Sequence, residues 1–159
     1  MNYKLTWALW LGAAACGAAL SVPAAMTVKD LNCDYRKNPL GIDNPRPGLS
    51  WVLDADQRGM RQTAYQVLVA GSREKLAQDA GDLWDSGRVP SSESVQVEYR
   101  GQPLASRRTA YWKVRVWIND GKASEWSKPA LWSMGLLKPE DWQAKWVKAG
   151  GDTSPWVRK

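Results

Sequence analysis

From Ala110 to Ile118 the chain reads AYWKVRVWI, and its apolar residues recur at every second position. Trp112, Val114, Val116 and Ile118 share one face, while Tyr111, Lys113, Arg115 and Trp117 share the other. At 3.6 residues per turn a helix would scatter the first four around its circumference, whereas a strand gathers them on one side. One apolar face and one mixed face describe a strand with its core side buried and its other side wet, as in antiparallel sheets. This segment therefore commits the chain to a layered β structure.

The remaining pattern agrees. Strands are expected over 27–31, 49–53, 63–70, 82–89, 94–99 and 129–134, as short runs bounded by Gly, Pro, Asn and Asp. Leu49, Trp51 and Leu53 align on one face, as do Tyr65, Val67 and Val69, and Val95, Val97 and Tyr99. The DNPRPG stretch at 43–48 is extended and turn-rich, because each proline biases its predecessor away from helix. Asn119-Asp120-Gly121 is a hairpin signal. Helical patterning is confined to 73–80, with Ser72 as cap and Gly81 past the end. About seven strands in roughly 110 residues predict an all-β fold, an immunoglobulin- or fibronectin type III-like sandwich of antiparallel strands. A barrel is the alternative. The expected core is Leu49, Trp51, Tyr65, Val67, Val69, Val97, Trp112, Val114 and Val116.

Residues 1–25 read differently. One lysine, Lys4, precedes an uncharged run of 18 residues at 5–22, and Val22-Pro23-Ala24 offers a small-residue cleavage site. This predicts an export signal helix cut after Ala24 or Ala25. An uncleaved anchor, or lipid attachment at Cys16, are the alternatives. Removal of Cys16 leaves Cys33 alone, so the mature chain has no internal disulfide and Cys33 reads as a small buried apolar residue. The expected location is periplasmic, surface-attached or extracellular.

Composition excludes several chemistries. The chain has no histidine, which removes His-based triads and the commonest metal ligand. No cofactor or metal site is expected. The net charge of +6 comes from 22 basic and 16 acidic residues interspersed singly or in isolated pairs such as Arg107-Arg108, which reads as a solvated surface and not a nucleic-acid face. Asp54 and Asp56 precede a turn, and Glu125 sits in a Ser-Glu-Trp-Ser turn, so these acids read as exposed. Candidate sugar-stacking residues are Tyr111, Trp117, Trp126 and Trp132, placed on an outer face or loop. The competing reading is an alternating Arg–Trp stack around Arg115, or rings that dock on a neighbouring domain.

After Gly135 the chain continues through Trp142 and Trp146, breaks at Gly150-Gly151 and begins another strand near Trp156. A lone strand cannot satisfy its edges, so either residues 140–159 fold back onto the sandwich or, the reading adopted, the polypeptide is longer. The organisation read is 1–25 signal, 26–138 sandwich, and 139–159 linker with the start of a second sandwich.

Six stretches resemble one family in order and spacing: NPLGIDNPRPGLSW (38–51), RQTAYQVLVA (61–70), DLWDSGRV (82–89), YWKVRVWINDGKASEWS (111–127), WSMGLLKPEDWQAKWV (132–147) and PWVRK (155–159). They are similar to the N-terminal region of bacterial glycoside hydrolase family 78, the α-L-rhamnosidases. The resemblance implies an opening fibronectin type III-like module, a second sandwich from near Trp142, and catalysis in an (α/α)6 barrel several hundred residues downstream. It implies inverting hydrolysis of terminal α-L-rhamnosides by two carboxylates, none of which falls on a matched position. The implied role is an accessory module, inactive alone, whose partners are the following domains and, through the catalytic domain, rhamnose-containing glycans. A free-standing secreted module binding carbohydrate or protein is the alternative. Trp112 stands where such sandwiches usually carry a corner tyrosine, which questions that tyrosine's hydroxyl-to-backbone bond.

Overall fold

The computed structural model describes residues 26–119 and 121–145. The expected signal segment with Cys16, Ala24 and Ala25, the turn residue Asp120, and the strand anticipated at Trp156 lie outside these residues.

Among the described residues seven strands form two antiparallel sheets. β1 (Met26–Cys33), β2 (Gly48–Ala55) and β5 (Val97–Glu98) make one sheet, in the order β1-β2-β5. β3 (Gln62–Ala70), β4 (Trp84–Asp85), β6 (Thr109–Ile118) and β7 (Ala130–Ser133) make the other, ordered β4-β3-β6-β7. A short helix α1 (Arg73–Ala77) joins β3 to β4, and a 3-10 turn spans Pro139–Asp141. The β3–β6 pair is the backbone of the larger sheet, with Val67 opposite Val114 and Val69 opposite Trp112. Three strands faced by four, both sheets open, make a sandwich and not a barrel.

All nine residues expected in the core are buried, and Leu49, Val67, Val69, Trp112, Val114 and Val116 have no accessible surface. Leu104, Tyr99, Trp132 and Met134 complete the packing. Edge-to-face pairs order the rings: Trp51 on Tyr65 at 5.3 Å and Tyr99 on Trp132 at 5.4 Å between centroids.

Four expectations need correction. The strand expected over 94–99 shrinks to Val97–Glu98, because Gln96 takes a left-handed φ of 54° and breaks the alternation. Val97 and Tyr99 still face the core, but Val95 is 64% exposed. The strand expected over 82–89 is interrupted: it pairs with β3 at Trp84–Asp85 and again as a single bridge of Val89 to Tyr65, since a turn intervenes in which the Asp85 carboxylate accepts from the N–H of Gly87 and Gly87 is left-handed. The helix stops at Ala77, well short of Gly81. Asp79, at φ 58°, supplies the left-handed residue, and the N–H groups of Ala80 and Asp79 cap the carbonyls of Lys75 and Leu76. Finally, Trp132 is fully buried and not on an outer face. In β7 the residues Ala130 and Trp132 point inward while Leu131 and Ser133 point outward.

Trp112 holds no corner bond, and a different tyrosine makes a local hydroxyl-to-backbone bond after β5. Trp112 fills the core with its Nε1 unpartnered, and the Tyr99 hydroxyl donates to the carbonyl of Gln102 at 2.8 Å.

Cys33 is the free cysteine of the described residues and is 1% exposed. Burial pushes its thiol up from 9.0 to about 12, with a smaller push from the Asp34 carboxylate. Thiolate is the reactive form. Iodoacetamide at pH 8 should therefore leave Cys33 unmodified in the native chain and alkylate it in guanidinium, as read by peptide mass mapping. The folded state holds this proton more tightly than the unfolded one. Its contribution is complete below pH 9 and declines as pH rises toward 12.

Candidate functional site

The outer face of the larger sheet carries three of the four aromatic candidates. Its geometry starts with two serines. After the hairpin, the chain runs back along β6, and Ser124 and Ser127 each bond it twice. Ser124 Oγ accepts from the N–H of Val116 at 3.1 Å, and its own N–H donates to the Val116 carbonyl at 2.7 Å. Ser127 does the same with Val114, at 3.1 and 2.9 Å. The strap between them lays Trp126 over the sheet. Trp126 sits between Lys113, 5.0 Å from the ring centroid, and Arg115, at 4.6 Å. Arg115 also lies 5.1 Å from Trp117, whose ring takes Arg88 at 5.0 Å. Tyr111 takes Arg73 at 5.3 Å. The guanidinium of Arg115 is aimed by Gln66, whose Oε1 accepts from Nε at 3.0 Å and Nη2 at 2.8 Å.

Tyr111, Trp117 and Trp126 are thus brought together on one face, but cations cover their rings. The Arg–Trp stack foreseen from the sequence is present, built from Trp117 and Trp126 without Trp132. Each such contact is worth about 0.5–2 kcal/mol depending on its exposure.

Lys113 anchors one end of this ladder. Its side chain is 8% exposed and pairs with Asp79, whose own side chain is 58% exposed. The Lys113 ammonium, through that hydrogen bond, holds the Asp79 carboxyl below its usual value. The native state therefore prefers the charged carboxylate. Its stabilisation is present above the unfolded value of 3.8 and is lost as pH falls through the lower folded value. Asp79→Asn keeps a residue tolerant of the left-handed turn and removes the charge. Solvent screens the exposed partner, so the expected cost at pH 7 is about 1 kcal/mol, below that of a fully buried pair. In urea titrations the gap between wild type and variant should close as pH drops below 4.

The acids singled out from the sequence do not form a pair over a cavity. Asp54 is exposed on β2 and accepts from Lys29 at 2.7 Å, and Asp56 and Glu125 are exposed. Two-carboxylate glycoside hydrolysis needs two acids flanking one bond.

Two clefts open where the sheets part. One, of about 420 Å³, lies between the edges of β1 and β7, and its Lys29 and Lys37 are paired with Asp54 and Asp30. The other, of about 480 Å³, lies beside β4 and β5 and is lined by Tyr65, Trp84, Asp85, Glu93, Glu98 and Arg100. No motif in the sequence marks it, since its residues are spread from 65 to 100.

The segment leaving β7 is fastened to the sandwich. Ser106 Oγ donates to the Asp141 carboxylate and accepts from the N–H of Leu137 at 2.9 Å. Arg107 Nη2 donates to the Asp141 carbonyl at 2.9 Å, and the Arg107 N–H to the Gly135 carbonyl at 3.0 Å. Asp141 also accepts from the N–H of Lys138 at 3.1 Å. Ser106, then that backbone N–H, hold the Asp141 carboxyl below its ordinary value.

A family model described as the Rha78A-like, N-terminal immunoglobulin domain matches residues 28–138. The chain belongs to this family. An α-L-rhamnosidase of Streptomyces avermitilis is 46% identical over 126 residues, covering 79% of this chain and 12% of that protein. An α-L-rhamnosidase of Formosa agariphila is 37% identical over 158 residues, 96% of this chain and 17% of that protein. The crystal structure of the Streptomyces avermitilis α-L-rhamnosidase complexed with L-rhamnose superposes with a TM-score of 0.74 at 46% identity, over 79% of this chain and 12% of that one. The α-L-rhamnosidase from Dictyoglumus thermophilum gives 0.73 at 39% identity, over 78% and 14%. The chain therefore spans 12% to 17% of the length of these relatives. In this Rha78A-like immunoglobulin domain the resembling stretches have structural tasks. Residues 38–51 lead into β2, 61–70 run through β3, 111–127 form β6 with its serine strap, and 132–147 include the fastened segment.

Proposed function

We propose that this domain is the accessory front module of an exported α-L-rhamnosidase, with a structural and docking role and no hydrolytic activity of its own. The observation that carries the reading is the family match over 28–138, joined to relatives named α-L-rhamnosidases of which the chain spans 12% to 17%. The fastened segment at 135–142 supports docking, because it ties whatever follows to the sandwich. The basic n-region and uncharged run at 5–22 support export. The substrate of the whole enzyme is then a terminal α-L-rhamnoside, hydrolysed by carboxylates of another domain.

The test expresses the 159-residue chain in a bacterial host and recovers it from the periplasm. The expected product begins at Ala25 or Met26 by intact mass and releases no p-nitrophenol from p-nitrophenyl α-L-rhamnopyranoside. Turnover above buffer by this chain would overturn the accessory role, and an unprocessed chain retained in the cytoplasm would overturn export.

A further inference from the structure

β4 is the outer strand of one sheet and β5 of the other, so the sandwich is open on that side. The cleft there, about 480 Å³, is of the size that holds a small ligand. Its aromatic wall is Trp84, set edge-on against Tyr99 with centroids 5.5 Å apart and planes at 89°. The rings of Tyr111, Trp117 and Trp126 carry guanidinium or ammonium groups. Among the described residues no cation lies over Trp84.

The polar groups around Trp84 divide into used and unused. Asp85 is occupied, accepting from Gln66 Nε2 at 2.7 Å and from the Gly87 N–H at 2.8 Å. Glu98 faces Arg100 at 3.2 Å and Arg46 at 3.8 Å. By contrast, the Glu93 carboxylate, the Tyr65 hydroxyl and the Trp84 indole N–H make no hydrogen bond among the described residues. The enclosed indole nitrogens without partners are those of Trp112 and Trp132, so the Trp84 nitrogen reaches open space. Burial raises the Tyr65 hydroxyl, with Glu93 adding to the rise and Arg100 opposing it, which puts both charges near that oxygen. The loop bearing Glu93 is fixed, because Gln62 Nε2 donates to the carbonyls of Ser91 at 3.0 Å and Glu93 at 2.7 Å.

We propose that this cleft binds one neutral pyranose unit, its C–H face against Trp84 and its hydroxyls on Glu93 and Tyr65. A sugar presents an apolar face and a ring of groups that both donate and accept. It matches a site with one half-buried aromatic ring that carries no cation, one free carboxylate and two free donors. Three carboxylates against Arg100 make the lining net negative, which disfavours anionic sugars. Only Glu93 is uncommitted, so the arrangement suits binding and lacks a second free carboxylate for hydrolysis. The inference rests on the cleft alone and does not depend on the rhamnosidase reading.

The test follows the indole signals of the ¹⁵N-labelled 159-residue chain during titration with L-rhamnose, D-mannose, D-glucose and D-galactose, with D-glucuronate as the charged probe. At least one neutral sugar should shift the Trp84 indole saturably at millimolar concentration, with glucuronate at least about tenfold weaker. Glu93→Gln touches a carboxylate without a partner, so it should leave the melting temperature unchanged and weaken binding about tenfold. Trp84→Leu, which lacks that reporter, should abolish the binding heat seen for the wild type by calorimetry. If Trp84→Leu fails to fold, Glu93→Gln decides. Absence of a saturable shift with all four neutral sugars up to about 100 mM overturns the proposal. So does a shift confined to Trp117 and Trp126, equal binding of glucuronate, or full binding by Glu93→Gln.

Discussion

Trp132→Ala is expected to lower the unfolding free energy by about 3–5 kcal/mol and the melting temperature by about 10 °C or more. The ring is wholly inaccessible, meets Tyr99 edge-on at 5.4 Å, and lies in the core with Leu104 and Met134. Removing it takes away its contacts and leaves a cavity that two hydrogen-bonded sheets cannot easily collapse to fill. Trp132→Phe is the informative companion. It keeps an aromatic ring beside Tyr99 and removes an indole N–H that is buried without a partner, so its cost should be well below that of alanine. Urea denaturation of the three proteins checks both statements. A loss under about 1 kcal/mol for Trp132→Ala would mean that this ring is not part of the core.

The second large effect is expected at Gln62. Gln62 is 4% exposed, and its amide joins three partners. Its Oε1 accepts from Trp51 Nε1 at 3.1 Å, and its Nε2 donates to the carbonyls of Ser91 and Glu93. Gln62→Leu keeps the volume and leaves one donor and two acceptors without partners. At about 1–3 kcal/mol for each buried group left unsatisfied, offset by water reaching the loop carbonyls, the expected loss is about 3 kcal/mol. Gln62→Glu should cost at least as much at pH 7, because its carboxylate is buried against the Ser91 and Glu93 carbonyl oxygens, and should recover in part at low pH, where the protonated acid can donate to one of them. Faster amide hydrogen exchange around 91–93 in Gln62→Leu is the local signature, since the same amide holds that loop to β3. Equal stability of Gln62→Leu and wild type would remove Gln62 from the list of structural determinants.

Much of this fold is legible in the chain because a sheet with one buried face writes its own period. Trp112, Val114 and Val116 alternate with Lys113, Arg115 and Trp117, and the structure sorts them accordingly. The same logic placed Leu49 with Trp51 and Tyr65 with Val67. It failed wherever a single residue left the extended region. A left-handed backbone at Gln96 exposes Val95, and one at Asp79 ends the helix before Gly81. The glutamine does not announce such a turn, since the tertiary bonds that hold it come from elsewhere, whereas the aspartate is a type that tolerates one without requiring it. Gln96, for example, gives its N–H to Ser50 Oγ at 2.8 Å. In β7 the reading from the chain puts Trp132 outside and the structure puts it inside, because Leu131 and Trp132 are both large and apolar and the short strand carries no alternation to set its phase. The aromatic face was legible in composition but not in availability, as only geometry reveals that Arg88, Arg115 and Lys113 occupy those rings. The cleft beside β4 was hidden altogether, since Tyr65, Trp84 and Glu93 meet only after the sheets are stacked.

The clasp between Ser106, Arg107 and Asp141 carries one further consequence. A flexible tether lets an attached body sweep a sphere whose radius grows with the square root of its length, and docking must then overcome that freedom. Here the stub is bolted down through residue 141 before any such sweep can begin. The chain thus leaves the sandwich at residue 141 in a direction set by these bonds, so any tether to a neighbour is shorter by the residues they hold and sweeps a smaller volume.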